Sequence, residues 1–168
     1  MRRLLLVSAV LAALAVPAAA FATQTTDGTL VVKGADNGDG IGPNARPVAT
    51  FVVTGFVIGR VTDLGRIQIF DIDPTDQGTP EVTGAGQGTT VQYKSFPGTE
   101  WSGTDFRFRA VNGTFRVVVW GSGVYVFASG HGKVTMTGNP AAPNADGSYS
   151  LNGGGFQSLT TQSILLNG

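Results

Sequence analysis

Cysteine is absent from this chain of 168 residues, and histidine occurs only once, at position 131. No disulfide can therefore hold the fold, and zinc or copper sites built from thiolate and imidazole ligands are disfavoured. Charged residues are also scarce, at 13% of the sequence, while hydrophobic residues make up 42%. This balance, together with 25 glycines, disfavours disorder and indicates a compact domain with many tight turns.

A long apolar run is found only at the start of the chain. Leu4–Val16 is uncharged and apolar, and Ala20-Phe21-Ala22 is a small-x-small cleavage signature. The run is shorter than the roughly 20 apolar residues that span a bilayer. We therefore predict a cleaved signal peptide at 1–22, a single all-β domain at 23–168, no membrane span in the mature chain, and a secreted or wall-associated product.

Neither charge sign is in excess, since eleven basic side chains balance eleven acidic ones. Arg2 and Arg3 lie in the predicted leader, which contains no acid, so the mature chain keeps nine basic side chains and a net charge of −2. Nucleic-acid-binding proteins usually have a strong basic excess, so no nucleic-acid partner is expected. The arginine pair leaves both the general and the twin-arginine export routes open.

After the leader, short runs of β-branched and aromatic residues alternate with Gly, Asn-Gly and Pro. This pattern predicts an all-β fold: a single antiparallel β-sandwich of about ten strands, or alternatively a closed or partly open β-barrel. Loops are expected at Ala35–Pro47, Asp71–Gly88 and Asn139–Gly147. The predicted strands are Thr29–Lys33, Ala49–Thr54, Phe56–Val61, Gly65–Phe70, Val91–Lys94, Asp105–Ala110, Thr114–Trp120, Gly123–Ala128, Lys133–Thr137, Ser148–Leu151 and Ser163–Leu166.

The Asn112-Gly113 pair predicts a two-residue hairpin turn, because both residues tolerate the positive φ of a type I′ turn. The two-residue period of the flanking strands then places one set of apolar side chains on a single face. We expect that face to belong to the core. Its members are Phe106, Phe108, Phe115, Val117 and Val119.

A faint internal repeat is also present. Val52–Gly55 resembles Val118–Gly121, and Gly65–Ile69 resembles Gly132–Met136. The repeat predicts two similar three-stranded meanders, related by a pseudo-two-fold axis or placed one in each sheet; chance similarity between Val-rich and Gly-rich strands is the alternative.

Two acidic loops raise the question of calcium, which binds oxygen ligands on extracellular loops. Asp36 and Asp39 lie in the Ala35–Pro47 loop, but the leading carboxylate and the closing glutamate of a calcium-binding loop are missing. Asp71, Asp73 and Asp76 form the second acidic loop, which matches no defined motif. Both fit Asx and Gly turns better, so no metal or cofactor is assigned, and calcium stays an open question.

No recognisable catalytic arrangement is present. His131 lies in a glycine-rich link without an identifiable nucleophile or acid partner, and G-x-S-x-G does not occur. Glu81 and Glu100, the only glutamates, both fall outside the predicted strands, where a carboxylate pair for glycoside hydrolysis is not apparent. No catalytic residue is assigned, and the chain is expected to be non-enzymatic.

Aromatic and basic side chains provide the candidate binding surfaces. Trp120, Tyr125 and Phe127 fall opposite the valines of their strands, as a sugar-stacking platform or as edge packing. Trp101 is the more plausible exposed ring. Arg107, Arg109 and Arg116 are expected to cluster on one face of the predicted hairpin. That cluster is either solvated or the site of an anionic ligand, because like charges directly opposite destabilise a sheet.

Six short motifs are spread over the predicted mature domain: Asp27–Leu30, Val57–Val61, Gly65–Ile67, Trp101–Arg109, Gly121–Val124 and Tyr149–Gly154. With these motifs the chain resembles a group of small secreted all-β proteins of actinobacteria. The group has no catalytic motif, so the resemblance implies an exported all-β fold and carries no functional role to any residue. The Ala35–Pro47 loop departs from the group, where a tighter turn is usual.

These observations predict an exported, non-enzymatic cell-envelope or extracellular binding or structural module. Its partner would be a cell-wall polymer or another extracellular protein. The alternative is a small secreted hydrolase that acts on polysaccharide. A deep polar cleft around His131 or a carboxylate pair would favour the hydrolase, whereas a flat face lined with aromatic or arginine side chains would favour binding.

Overall fold

The computed structural model describes residues 26–34, 41–42, 44–138 and 146–168. The predicted signal peptide, 1–22, lies outside these residues. So do residues 35–40 and 139–145, which belong to two of the predicted loops.

Within those ranges the chain forms nine strands and no helix. All nine belong to one large antiparallel sheet that does not close into a barrel. The predicted all-β class is confirmed, and the strands share one sheet instead of dividing between two. They are β1 (Gly28–Gly34), β2 (Ala49–Val61), β3 (Gly65–Asp71), β4 (Thr79–Tyr93), β5 (Phe96–Gly121), β6 (Val124–Met136), β7 (Gly147–Leu151), β8 (Gln157–Ser158) and β9 (Gln162–Leu166).

The strand order is β3-β5-β2-β6-β1-β7-β8, with β4 beside β5 and β9 beside β6. Several predicted breaks do not occur. β2 continues through Gly55, and β6 continues from Val124 to Met136 through the glycine-rich link around His131. Because neighbouring strands on both sides supply the backbone hydrogen bonds, single glycines do not end either strand. Among the described residues, no helix has the length and apolarity that crossing a bilayer requires.

The predicted hairpin turn at Asn112-Gly113 is wrong. β5 runs straight through the pair: Gly113 lies opposite Gly55 and Val111 opposite Phe56, so Asn112 is one extra residue in β5. Asn112 has φ 62°, the left-handed conformation that a turn would also have used. The pair therefore forms a β-bulge, in which two residues of one strand oppose one of its partner.

This bulge keeps the apolar face of β5 on one side of the sheet. Inward positions are even-numbered before Asn112 and odd-numbered after it, because the extra residue shifts the two-residue alternation by one. The predicted core set is confirmed, although a bulge and not a turn produces it. Phe106, Phe108, Phe115, Val117 and Val119 are each at most 4% exposed.

A second bulge shifts the alternation at Asp105, which has φ 45°. Gly84 lies opposite Phe106 and Ala85 opposite Thr104, which leaves Asp105 as the extra residue. The first stretch of β5 is thereby redirected toward β3. β3 lies between two stretches of β5, since Gly65 pairs with both Gly103 and Gly121. In both pairings the strands run in opposite directions, because residue numbers fall along β5 as they rise along β3.

β4 occupies much of the segment predicted as the Asp71–Gly88 loop. In the structure this loop ends at residue 78, where β4 follows. The strand pairs with β5 over its whole length, from Thr79 opposite Val111 to Tyr93 opposite Phe96. In the sequence the glycines of β4 indicate a loop, but in the structure they leave room for a neighbouring side chain. The side chain of Trp101 lies across Gly88, and a Cβ there would meet the indole ring at 2.9 Å.

The repeated segments do not form separate meanders, because the order β3-β5-β2-β6 interlocks them. Each copy pairs with the other copy. The register is nevertheless symmetrical: Ala49 lies opposite Val119 and Val53 opposite Phe115, with the Phe51–Val117 pair at the centre. This symmetrical register is the one that a pseudo-two-fold axis between β2 and β5 would produce.

We expect Asn112→Val to destabilise the domain by about 1–2 kcal/mol, the cost of the left-handed conformation for a residue with a branched Cβ. Asn112→Gly should change stability by less than about 0.5 kcal/mol, because glycine adopts positive φ freely. Urea unfolding of both variants measures the difference. Equal stabilities would contradict the bulge.

Candidate functional site

A row of cationic and aromatic side chains crosses the outer face of the sheet. Arg107 of β5 lies opposite Arg60 of β2, Arg60 lies opposite Tyr125 of β6, and Tyr125 lies opposite Lys33 of β1. All four side chains are exposed. Three strand spacings separate the ends of the row, so it spans about 14 Å.

A second row runs beside the first. It places Arg109, Ile58, Phe127 and Val31 in register on the same four strands. We call Arg107, Arg60, Tyr125 and Lys33, together with Ile58 and Phe127, the outer-face patch. Ile58 is 39% exposed and Tyr125 is 40% exposed, so apolar surface and positive charge are presented side by side.

The two arginines of the first row lie directly opposite each other on neighbouring strands. Neither Arg60 nor Arg107 forms an ion pair with any residue in the described ranges. Their neighbour Arg109 does: its guanidinium lies 2.6 Å from Glu81 of β4. Like charges directly opposite each other on a sheet are destabilising, so the pair keeps an unfavourable interaction that an anionic ligand would relieve.

The aromatic side chains at the other end of the patch are held by cation–π contacts. The Lys33 ammonium lies 4.1 Å from the centre of the Phe156 ring and 5.9 Å from that of Tyr125. Phe127 is half-buried, with its ring centre 5.6 Å from that of Phe56. Tyr125 and Phe156, which is 53% exposed, therefore present ring surface to solvent around a single cation.

An open cleft of about 460 Å³ lies within the patch, and its walls are almost entirely apolar. Gly59 lines the cleft, and its lack of a side chain leaves room for the Phe108 ring, which a Cβ at that position would meet at 2.5 Å. A second, more polar cleft of about 300 Å³ adjoins it over β4 and includes Glu81 and Thr83. The lining residues of the first cleft are Ile58–Arg60, Arg107–Arg109, Tyr125 and Phe127.

The structure separates the predicted aromatic platform. Tyr125 and Phe127 lie on the outer face, but Trp120 is only 8% exposed and does not join them. The Trp120 indole N–H donates to the carbonyl oxygen of Ala45 at 3.2 Å, and the Arg66 guanidinium lies 4.1 Å from the ring centre. A loop thus covers Trp120, and this ring is packed into the structure instead of forming part of a sugar-stacking platform. The expectation of an exposed Trp101 is also wrong, since that ring is half-buried against the core.

The predicted arginine cluster is confirmed only for Arg107 and Arg109. Arg116 lies beyond the bulge at Asn112, and its guanidinium is 4.2 Å from the centre of the Tyr93 ring. Because Tyr93 ends β4, this contact holds the tip of the β4–β5 hairpin against the sheet. Arg116 therefore has a structural role and is not part of the outer-face patch.

The residues considered for catalysis lie apart and are engaged elsewhere. His131 Nδ1 lies 3.3 Å from Asp27 Oδ1, and both side chains are largely exposed. Glu81 and Glu100 lie in strands and not in loops, which corrects the prediction. Glu81 pairs with Arg109, and Glu100 accepts a hydrogen bond from Gln68 Nε2 at 2.5 Å.

The acidic loop after β3 uses its carboxylates to hold the backbone. Asp73 accepts hydrogen bonds from the hydroxyl and the N–H of Thr75. Asp76 accepts from the N–H groups of Gly78 and Thr114, at 2.9 and 2.6 Å. In the described part of the chain, no three His, Cys, Asp or Glu side chains are grouped to hold a metal ion. Asp36 and Asp39 of the other acidic loop lie outside the described residues.

Three members of the patch, Arg60, Lys33 and Ile58, were not singled out as candidate binding residues from the sequence. They alternate with buried valines on β2 and β1, so each is an ordinary outward position of its strand. Only the register across four strands brings them beside Arg107 and Tyr125. Comparison with known protein families, curated proteins and solved structures finds no match to this chain.

Two substitutions in the acidic loop should shift stability in opposite directions. Burial raises the pKa of Asp71, and the nearby charges of Asp76 and Asp73 raise it further. The hydrogen bond from the Asp73 N–H lowers this pKa, but the net shift is upward. The hydroxyl and the N–H of Thr75 lower the pKa of Asp73. Asp71→Asn should therefore stabilise the fold at pH 7, within the roughly 0.5 kcal/mol typical of surface changes, and Asp73→Asn should destabilise it.

The Asp71→Asn effect should disappear below the ordinary aspartate pKa of 3.8, where this carboxyl is protonated in both the folded and the unfolded chain. The Asp73→Asn effect should shrink below pH 3.8 and disappear only once the pH falls below the lowered pKa of Asp73 in the folded chain. Urea unfolding at pH 7 and near pH 3 measures this difference. A stability gain for Asp71→Asn that persists unchanged at pH 3 would show that charge is not its cause.

Proposed function

We propose that this chain is an exported, non-enzymatic binding protein of the cell envelope or extracellular space, and that its outer-face patch binds an anionic polysaccharide. The observation that carries the proposal is the row Arg107–Arg60–Tyr125–Lys33, in which two unpaired arginines face each other beside exposed aromatic surface. A ligand with regularly spaced negative charges would neutralise this row.

The chemistry of the patch fits a charged sugar polymer. Guanidinium groups bind carboxylate or phosphate oxygens through paired N–H donors, and these charge-assisted hydrogen bonds are stronger than neutral ones. Aromatic rings such as Tyr125 and Phe156 offer flat apolar surface to the C–H faces of sugars. The apolar cleft between Ile58 and Phe127 adds burial area next to the charges.

The overall charge favours a polysaccharide over a nucleic acid. The mature chain would carry a net charge of −2, so its general field does not attract a highly charged polyanion. The patch groups three of the nine basic side chains, Lys33, Arg60 and Arg107, and Glu81 is close beside it at Arg109. Such a surface suits a polymer whose negative charges alternate with neutral sugar surface.

The binding experiment uses the mature chain, residues 23–168, and measures its affinity for polygalacturonate by calorimetry at low and at high salt. Phosphorylated dextran tests phosphate in place of carboxylate, neutral dextran tests the contribution of charge, and single-stranded DNA tests the nucleic-acid alternative. We expect binding to one of the two acidic polymers that weakens with salt, because exposed charges are screened.

The variant Arg60→Gln/Arg107→Gln should weaken this binding at least tenfold. It should not lower thermal stability, because it removes a pair of facing like charges. Lys133→Gln is the control for the loss of a single cation outside the patch: it removes a cation from the exposed side of β6, eight residues from Tyr125, and should leave binding unchanged.

Three results would overturn the proposal. They are no binding to either acidic polymer at low salt, equal binding by the double variant, or tighter binding of DNA than of both acidic polymers.

A further inference from the structure

β4 forms a long strand edge that no other described residue covers. One edge of β4 pairs with β5 from Thr79 to Tyr93, and no strand of the described ranges pairs with the opposite edge. Twelve of its fifteen residues are exposed. An edge of this kind presents a row of backbone N–H and C=O groups that an added strand can satisfy.

After Pro80 and Glu81 near its start, β4 lacks the features by which natural proteins protect such edges. Charged side chains, proline and very short length are the usual protections. From Val82 to Tyr93 there is no charged residue and no proline, and these twelve residues extend for about 40 Å. By contrast, β8 has only two residues and β9 only five, so β4 is the long open edge of the sheet.

We infer that β4 pairs with β4 of a second copy of this chain, antiparallel and about a two-fold axis. The sequence of β4 is compatible with itself in this arrangement. With Gln87 on the axis, Thr83 lies opposite Val91 and Ala85 opposite Thr89, so small or β-branched residues face one another. Glu81, the only charged residue of β4, lies opposite Tyr93, so no like charges meet.

A two-fold pairing of this type closes on itself and forms a dimer, not a fibre. The axis is perpendicular to the joined sheet, so both outer faces point to the same side. Thr83 lies beside Arg107 and Glu81 beside Arg109, which brings β4 directly next to the outer-face patch. If the proposed polysaccharide binding holds, the dimer presents two patches to one polymer and gains affinity through bivalency.

Sedimentation of residues 23–168 over a range of concentrations tests the dimer directly, without any ligand. The wild-type chain should sediment as a dimer. Gln87→Lys/Thr89→Lys adds charges along the exposed edge and should weaken dimerisation at least tenfold. The control, Leu165→Lys/Asn167→Lys, adds the same charge at exposed positions in and just after β9 and should leave the dimer intact.

Single-cysteine variants determine the register. Because the chain has no cysteine, Ala85→Cys, Gln87→Cys and Thr89→Cys each introduce the only thiol. Directly opposite Cα atoms in an antiparallel pair are about 4.5–5.5 Å apart, within the range that a disulfide bridges. Under mild oxidation, the variant nearest the axis should form the disulfide cross-link most completely, and Leu165→Cys should form no cross-link.

A wild-type chain that sediments as a monomer at every concentration overturns the inference. So does a dimer that the β4 lysines leave unchanged, or one that cross-links at Leu165→Cys and not in β4. A failure of polysaccharide binding with an intact dimer would reject the proposed function alone, because sedimentation requires no ligand.

Discussion

The two-residue alternation of β-strand side chains is the constraint on which this structure depends. β5 is 26 residues long, and a strict alternation along it would place Phe115 on the opposite face of the sheet from Phe106 and Phe108. The extra residues Asp105 and Asn112 shift the alternation twice. Trp101, the Phe106–Ala110 stretch and the Phe115–Val119 stretch therefore all have inward positions on one side of the sheet. Both bulges have an Asx residue at positive φ, a conformation that aspartate and asparagine tolerate better than most side chains.

The outer face follows from the same alternation. Once the inward positions are apolar, the outward positions of β1, β2, β5 and β6 are free to differ in charge, and the register places Lys33, Arg60 and Arg107 in one row. Folding alone does not favour that row, because Arg60 and Arg107 repel each other. An anionic ligand would relieve this repulsion, and the row therefore supports the proposed binding role more directly than composition does.

Much of the core could be predicted from the sequence, whereas the site could not. Val-rich and Phe-rich runs such as Phe51–Val53 and Phe115–Val119 are apolar in a two-residue pattern wherever they pair, so their burial depends little on topology. Asn112-Gly113 is different, because a type I′ turn and a bulge use the same positive φ, and only the partner strand decides between them. β4 was missed because its glycines look like a loop, although they accommodate Trp101. The patch depends on contacts between strands far apart in sequence, which no local pattern reports.

The position of β3 between two stretches of β5 has a consequence for folding kinetics. The β4–β5 hairpin is closed by two residues, Lys94 and Ser95, so its contacts are local and can form early. Neither edge of β3 finds its full partner until β5 has bent at Asp105 and its far end has returned near Gly121. Contacts between residues so distant in sequence make folding slow, because loop-closure entropy must be overcome before the pairing energy is gained. The interlocked order β3-β5-β2-β6 therefore delays the native state until nearly the whole sheet is available to assemble.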